Sequence, residues 1–348
     1  MKIIKIGSKE IGIGKPCFII GEAGVNHNGQ LNIAKKLVDT AVYAGVDAVK
    51  FQTFKSEEVV TKDTKIAKYQ EKNLGKSETQ LEMIKKFELP YEKFINIKNY
   101  CDKKGLIFLS TPHSDDAIDF LDPLILAYKV GSGDLTNLPF LEKIAKKHKP
   151  MILGTGMSTL KEVKYAIKLI KSKGNNQITV LHCTTSYPCP LEDANLNAMI
   201  TMQEKLDCLT GYSDHTLGTM VPTMAATLGA VVIEKHFTLD RNLPGPDHKA
   251  SLEPKELKQM VIDIRNVEKV LGTYEKKPTE SEKEIMKFVR KSIVAHKDIK
   301  KGSIIEKNMI TIKRPGTGLP PSKINEIIGK KANRQILKDE IFQLDMVE

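Results

Sequence analysis

Histidines, lysines and glutamates recur in this sequence at positions where they could share one reaction centre. His215 ends the run LTGYSDH, and His236 lies at the end of AVVIEKHF, two residues after Glu234. Two neutral imidazoles with open positions suit a divalent transition metal such as Mn2+. Glu22, Glu234 and Asp247 could add an oxygen ligand or move protons. An isolated histidine is more often a satisfied structural residue. A pair at successive strand ends points instead to metal binding, because such ends feed the site of a parallel β/α fold. Lys50 and Lys129 bring two ammonium groups, whose partner would be a phosphate or carboxylate. Thr111, Ser132 and Ser213 could donate hydrogen bonds to it. The runs GSGD at 131–134 and GTGMS at 154–158 could add backbone N–H groups to an anion cradle. Lys129 also permits Schiff-base chemistry, but a carbonyl polarised by metal needs no imine.

These residues sit at the ends of short apolar runs that have the length and composition of buried strands. The runs are PCFIIGEAG, DAVKFQT, LIFLSTP, LAYKVGSG, PMILGTG, ITVLHCTTSYP, LTGYSDH and AVVIEKHF. Helical patterns lie between most of them. One follows Gln30, with Leu31, Ala34, Leu37, Val38, Ala41 and Val42 on one face; another starts behind Ser158 and Thr159 and ends near Gly174. Strands alternating with helices mean a parallel sheet. Polar residues at the C-terminal end of nearly every strand favour a closed (β/α)8 barrel over an open sheet, since in a barrel those ends meet at one mouth. Gln52, Thr184, Thr185 and Tyr187 belong to the same ring of ends. His27, His113, His182 and His248 fall near mouth loops and stay unassigned, apart from a loop role for His27.

The expected division is a catalytic barrel over residues 1–272, a polar linker over 273–285 and a compact β-rich module over 286–348. With 348 residues and 41% hydrophobic content, the chain has ample material for such a core. No run is apolar for long enough to span a membrane, and the N-terminus lacks a signal-peptide layout, so the expected location is cytoplasmic. Five scattered cysteines suggest buried free thiols rather than a disulfide framework. The net charge of +11 is spread along the chain without an aromatic stacking array, which argues against nucleic acid and suits an anionic small substrate.

The same residues resemble the sialic acid synthase family. The resemblance runs through FIIGEAGVNHNG (18–29), AVKFQTF (48–54), STPHS (110–114), YKVGSGD (128–134) and GTGMST (154–159). It continues through LHCTTSYP (181–188), GYSDHTLG (211–218), EKHFTLDRNLPGPDHKASLEP (234–254) and KRPGTGLPP (313–321). It implies a TIM barrel followed by a small β-clip-like, antifreeze-like domain. It implies condensation of phosphoenolpyruvate with N-acetylmannosamine or a close N-acylated hexosamine, giving an N-acetylneuraminate-type nonulosonate and phosphate. A divalent metal, Mn2+ or Mg2+, would be held by His215 and His236. Lys50 and Lys129, with Ser132, Ser213 and the Thr184–Thr185 loop, would hold phosphoenolpyruvate. Glu22, Gln52, Tyr187 and Asp247 would bind the sugar or move protons, with Glu22 or Glu234 as the proton handler. The resemblance also implies a domain-swapped homodimer, in which Arg314 reaches the partner's site; without it, Arg314 reads as a surface arginine. Two positions depart from some members: Asp134 replaces Glu at the sugar end, and Gly154-Thr155 replaces Ser, shifting a phosphate donor to backbone N–H or Thr155. A legionaminate or pseudaminate synthase acting on a 2,4-diacetamido-trideoxyhexose is the alternative, and a non-catalytic carbohydrate-binding barrel a weaker one.

Overall fold

The structure is a computed structural model that describes residues 2–66 and 78–348. Contacts divide the chain into two compact units, Met1–Gly272 and Thr273–Glu348. In the first, an antiparallel hairpin of β1 (Ile3–Ile6) and β2 (Lys9–Gly12) precedes eight parallel strands. These are β3 (Phe18–Gly24), β4 (Ala48–Thr53), β5 (Ile107–Pro112), β6 (Tyr128–Val130), β7 (Met151–Gly154), β8 (Ile178–His182), β9 (Leu209–Asp214) and β10 (Val232–His236). Their hydrogen-bonded order is β5-β4-β3-β10-β9-β8-β7-β6, so the last strand pairs with the first. The ends of the order, β5 and β6, adjoin without a ladder between them. The sheet is therefore the near-closed barrel expected from the sequence.

Alternation along each strand sorts the residues. Phe18, Ile20, Ala48, Leu109, Ile152 and Val232 point into the barrel and cluster with Ile4, Ile6 and Ile11 of the hairpin. That cluster plugs the N-terminal end. Ile19, Val49, Phe51 and Ile233 point outward and pack under the helices. Moving up the interior, the next inward positions are Glu22, Lys50 and Glu234, so the apolar floor gives way to charge within one step of the pleat. At Gly211 an added Cβ would lie 2.3 Å from the Val232 carbonyl oxygen, which is why β9 carries glycine where it meets β10.

The surrounding helices follow local signals. Leu31–Ala44 buries Ala34, Leu37, Val38 and Ala41 and stops at Gly45, whose φ of 80° is left-handed. Leu160–Ser172 opens with a reciprocal capping box between Thr159 and Glu162. In the second unit the segment Glu280–Val289 is helical, behind the same kind of capping box, formed by Thr279 with Glu282. It overlaps the stretch read as linker. Beyond it, β11 (Ser292–Ala295) pairs with β12 (Ile310–Lys313), and isolated bridges extend the β-rich module. Its core is made of Ile293, Ile299, Ile305, Ile336 and Phe342. Among the described residues no helix is long and apolar enough to cross a membrane.

Candidate active site

The inward positions at the C-terminal strand ends line one cavity of about 230 Å³. Glu22, Lys50 and Gln52 come from β3 and β4, Thr111 and Lys129 from β5 and β6, and Ser213, Glu234 and His236 from β9 and β10. Ser132, Asp134, Tyr187 and His215 enter from the loops just beyond. The intervening residues point away. Lys235 and Asp214 form a fully buried ion pair on the outer face of the barrel, so neither belongs to the cavity.

The two lysines are not bare cations. Lys50 Nζ lies 2.9 Å from Glu22 Oε2 and 3.7 Å from Glu234 Oε2, and donates to Thr111 Oγ1 at 3.0 Å. Lys129 Nζ lies 3.0 Å from Glu234 Oε1, which also accepts from Ser213 Oγ at 3.1 Å. Gln52 Nε2 donates to Glu22 Oε1 at 3.2 Å. Burial pushes the Glu22 carboxyl up to about 7, against the pull of Lys50. Burial also opposes the charge on Glu234, but Lys129 and Lys50 outweigh it and hold that carboxylate low. Neighbouring carboxyls thus differ in proton affinity, an arrangement that separates a proton carrier from a fixed charge. With Glu22 protonated, the floor keeps a net positive charge for an anion.

His215 and His236 face each other with ring centroids 5.5 Å apart, and Tyr187 lies against both. His215 Nδ1 donates to the Thr184 carbonyl at 2.7 Å, which leaves Nε2 as its lone-pair nitrogen. His236 Nδ1 is buried with no hydrogen-bond partner. Burial pushes His215 down to about 4 and His236 well below the usual imidazole range. Both rings are therefore neutral, the form a metal requires. An unpartnered buried nitrogen beside an oriented neutral imidazole fits a cation. Among the described residues no group of three metal-ligating side chains forms. The oxygen ligand considered from Glu22, Glu234 or Asp247 is thus not gathered around the histidines, and the other coordination positions would fall to water and substrate.

Several side chains land elsewhere than expected. The Thr184 hydroxyl donates to the Asp193 carbonyl at 2.7 Å and does not line the cavity; Thr185 does, with a buried and unpartnered Oγ1. The Thr155 hydroxyl is likewise spent on the Leu181 carbonyl, so it offers no phosphate donor, whereas the Gly156 N–H points at Ser132 Oγ at 3.0 Å. Asp247 lines an adjoining pocket rather than this one, and burial pushes its carboxyl up to about 6. Arg314 is exposed in the second unit, on the loop after β12. His182 and His248 are bonded structural histidines, and His27 accepts from the Gly29 N–H at Nδ1 while its buried Nε2 has no partner; none of the three lines the cavity. His113 is different: it lines the cavity, its Nε2 is buried without a partner, and its Nδ1 lies 3.9 Å from Asp134 Oδ2. Cys183 also lines the cavity, accepting from the Gly156 N–H at 3.1 Å. His113, Cys183 and Thr185 carried one sequence signal, their position in loops directly after strand ends.

Comparison with known proteins decides the family. The NeuB family pattern matches residues 37–276, and the SAF domain pattern matches residues 290–348. The chain belongs to the NeuB family. It is 46% identical over 335 residues to an N,N'-diacetyllegionaminic acid synthase of Legionella pneumophila, covering 95% of this chain and 94% of the relative. It is 34% identical over 341 residues to the N-acetylneuraminate-9-phosphate synthase of Homo sapiens, covering 97% and 94%. Among solved structures it resembles the N-acetylneuraminic acid (sialic acid) synthetase of Leptospira borgpetersenii in complex with citrate. The TM-score there is 0.74 at 35% identity, over 82% of this chain and 95% of that one. The NeuB relatives are thus synthases of nonulosonates, and the C-terminal SAF module is the antifreeze-like domain anticipated from KRPGTGLPP.

Proposed function

We propose that this NeuB protein is a transferase that condenses phosphoenolpyruvate with a 2,4-diacetamido-trideoxyhexose, giving an N,N'-diacetyllegionaminate-type nonulosonate and phosphate. The observation that carries the reaction class is the cavity in which paired Lys50–Glu22 and Lys129–Glu234 stand beside two neutral imidazoles. The choice of sugar rests on the 46% identity to a legionaminic acid synthase, against 34% to a neuraminate-phosphate synthase. That reverses the order expected from the sequence, which placed N-acetylmannosamine first.

The donor's phosphate and carboxylate would take the charges of Lys50 and Lys129, with Ser132 and Thr185 as further donors. His215 and His236 would hold a divalent cation, Mn2+ or Mg2+. Bound there, it would polarise the sugar aldehyde and stabilise the developing alkoxide. Glu22 is the cross-strand neighbour of His236, and its carboxyl, raised to about 7 by burial, can hold a proton near neutrality. As C3 of phosphoenolpyruvate bonds to the aldehyde carbon, the carbonyl electron pair moves to oxygen, which takes the proton of Glu22. Water then adds to the cationic C2 and returns a proton to Glu22; the new C2 hydroxyl becomes the C2 carbonyl as the C–O bond to phosphate breaks, and its proton leaves with the phosphate. Glu234 stays ionised and fixes Lys129 and Ser213 in place. Gln52, Asp134, Tyr187 and Asp247 would position the sugar. In a domain-swapped homodimer, Arg314 would serve the partner subunit's site.

The test is phosphate release from phosphoenolpyruvate with a panel of N-acylated hexosamines, free and 6-phosphorylated, with product mass measured. Release is expected only with both a sugar and a divalent metal. Full activity in a chelated sample would remove the metal from this scheme, and no release with any sugar would remove the condensation itself.

A further inference from the structure

A second pocket of about 250 Å³ opens from the polar cavity, sharing Gln52, His113, Thr185, Tyr187 and His236 as a common wall. Beyond that wall its character changes. Val25, Phe54, Val59, Met83, Ile84 and Phe87 form its far side. Val25, Phe54, Met83 and Phe87 are buried as a small apolar cluster of their own. Its polar groups are those of the shared wall (Gln52, Thr185, Tyr187, His236 and His113 with its unpartnered Nε2) together with the Gln80 amide and the Asp247 carboxyl. Among the described residues this annex has no lysine or arginine in its wall. His113 stands at the junction, edge-on to Phe54, and burial together with Lys50 and Lys129 holds its imidazole neutral.

Such a surface is built for a neutral group with an apolar end. An amide can bond to the glutamine amides, His113 or Asp247 while its methyl packs on Phe54 and Phe87. We propose that the annex is the acceptor-selecting subsite: it receives the distal acylamino and methyl groups of the sugar. This rests on the condensation assigned above and adds the residues that choose among its acceptors. Apolar contacts of this kind discriminate by roughly 10–200-fold.

The experiment compares kcat/KM for 2,4-diacetamido-trideoxymannose, N-acetylmannosamine and N-acetylmannosamine 6-phosphate. It uses the metal-loaded wild-type protein and two variants in the annex wall. Val59→Trp narrows the annex from a half-exposed position, and Ile84→Gln wets it. The wild type is expected to favour the diacetamido sugar over N-acetylmannosamine by at least about tenfold. Each variant is expected to cut that preference at least about tenfold, chiefly through the KM of the diacetamido sugar. Equal kcat/KM for the two neutral sugars in the wild type overturns the proposal, whether or not the variants fold. So does parallel loss with both sugars in the variants. Condensation with any sugar leaves the reaction class standing in those cases; absence of condensation with all three overturns both.

Discussion

Glu22 and Glu234 have the same side chain and occupy equivalent inward positions, yet their environments give them different jobs. Glu234 has two ammonium groups and a hydroxyl around it, whereas Glu22 has one ammonium and an amide. The imidazoles show the same dependence on surroundings: burial without a carboxylate partner leaves both neutral. Replacing His215 or His236 by alanine should lower turnover by roughly 10²–10³-fold while the far-ultraviolet dichroism spectrum stays unchanged, as expected when charge stabilisation is lost. Activity near the wild-type level would make both histidines structural. Asp247 provides a pH signature. Its carboxyl is raised to about 6, so it is an ionised acceptor above that pH and a neutral acid below it. The kcat/KM for the sugar should therefore fall as pH drops through about 6, and Asp247→Asn should flatten that limb. A limb that survives in Asp247→Asn belongs to another group.

At the scale of the element, the pleat does most of the sorting. The runs GYSDH and EKH each read inward, outward, inward at Ser213-Asp214-His215 and Glu234-Lys235-His236. The outward pair, Lys235 and Asp214, is fully buried and further tied by Thr216. Lys235→Met leaves a buried unpaired carboxylate and should destabilise the fold by about 3–5 kcal/mol. Removing both charges, as in Asp214→Leu with Lys235→Met, should recover most of that loss in denaturant unfolding. A single and a double variant of equal stability would contradict the pairing. The capping box of Thr159 and Glu162 is a smaller lever, and Thr159→Ala should cost about 1 kcal/mol in the same measurement.

At the scale of the molecule, the expectation concerns two chains. If Arg314 serves the partner subunit, a mixed dimer of Arg314→Ala and His236→Ala subunits contains one complete site. After equal mixing and exchange, half the dimers are mixed, so about a quarter of wild-type activity should return at low sugar concentration. Either variant alone should stay far below that, and no recovery on mixing would place Arg314 in its own chain's chemistry or outside it.

The barrel and the residues of its mouth were legible in the sequence. Short apolar runs and polar strand ends are local properties, and the alternation of a strand carries them directly into an inward or outward position. The same logic placed Glu22, Lys50, Gln52, Lys129, Ser213, Glu234 and His236. It could not place loop residues, whose direction depends on distant partners. Thr184 turned out because the Asp193 carbonyl takes its hydroxyl, and His113 and Thr185 turned in. Nor could the sequence tell that each lysine meets a carboxylate, because Lys129 and Glu234 lie 105 residues apart and touch only when the barrel curls. The annex behind His113 is likewise a product of packing between separate segments. Sequence alone determined the elements and the kinds of group at their ends. Tertiary structure decided which groups share a cavity, since protonation, pairing and pocket shape depend on distances that only the closed barrel sets.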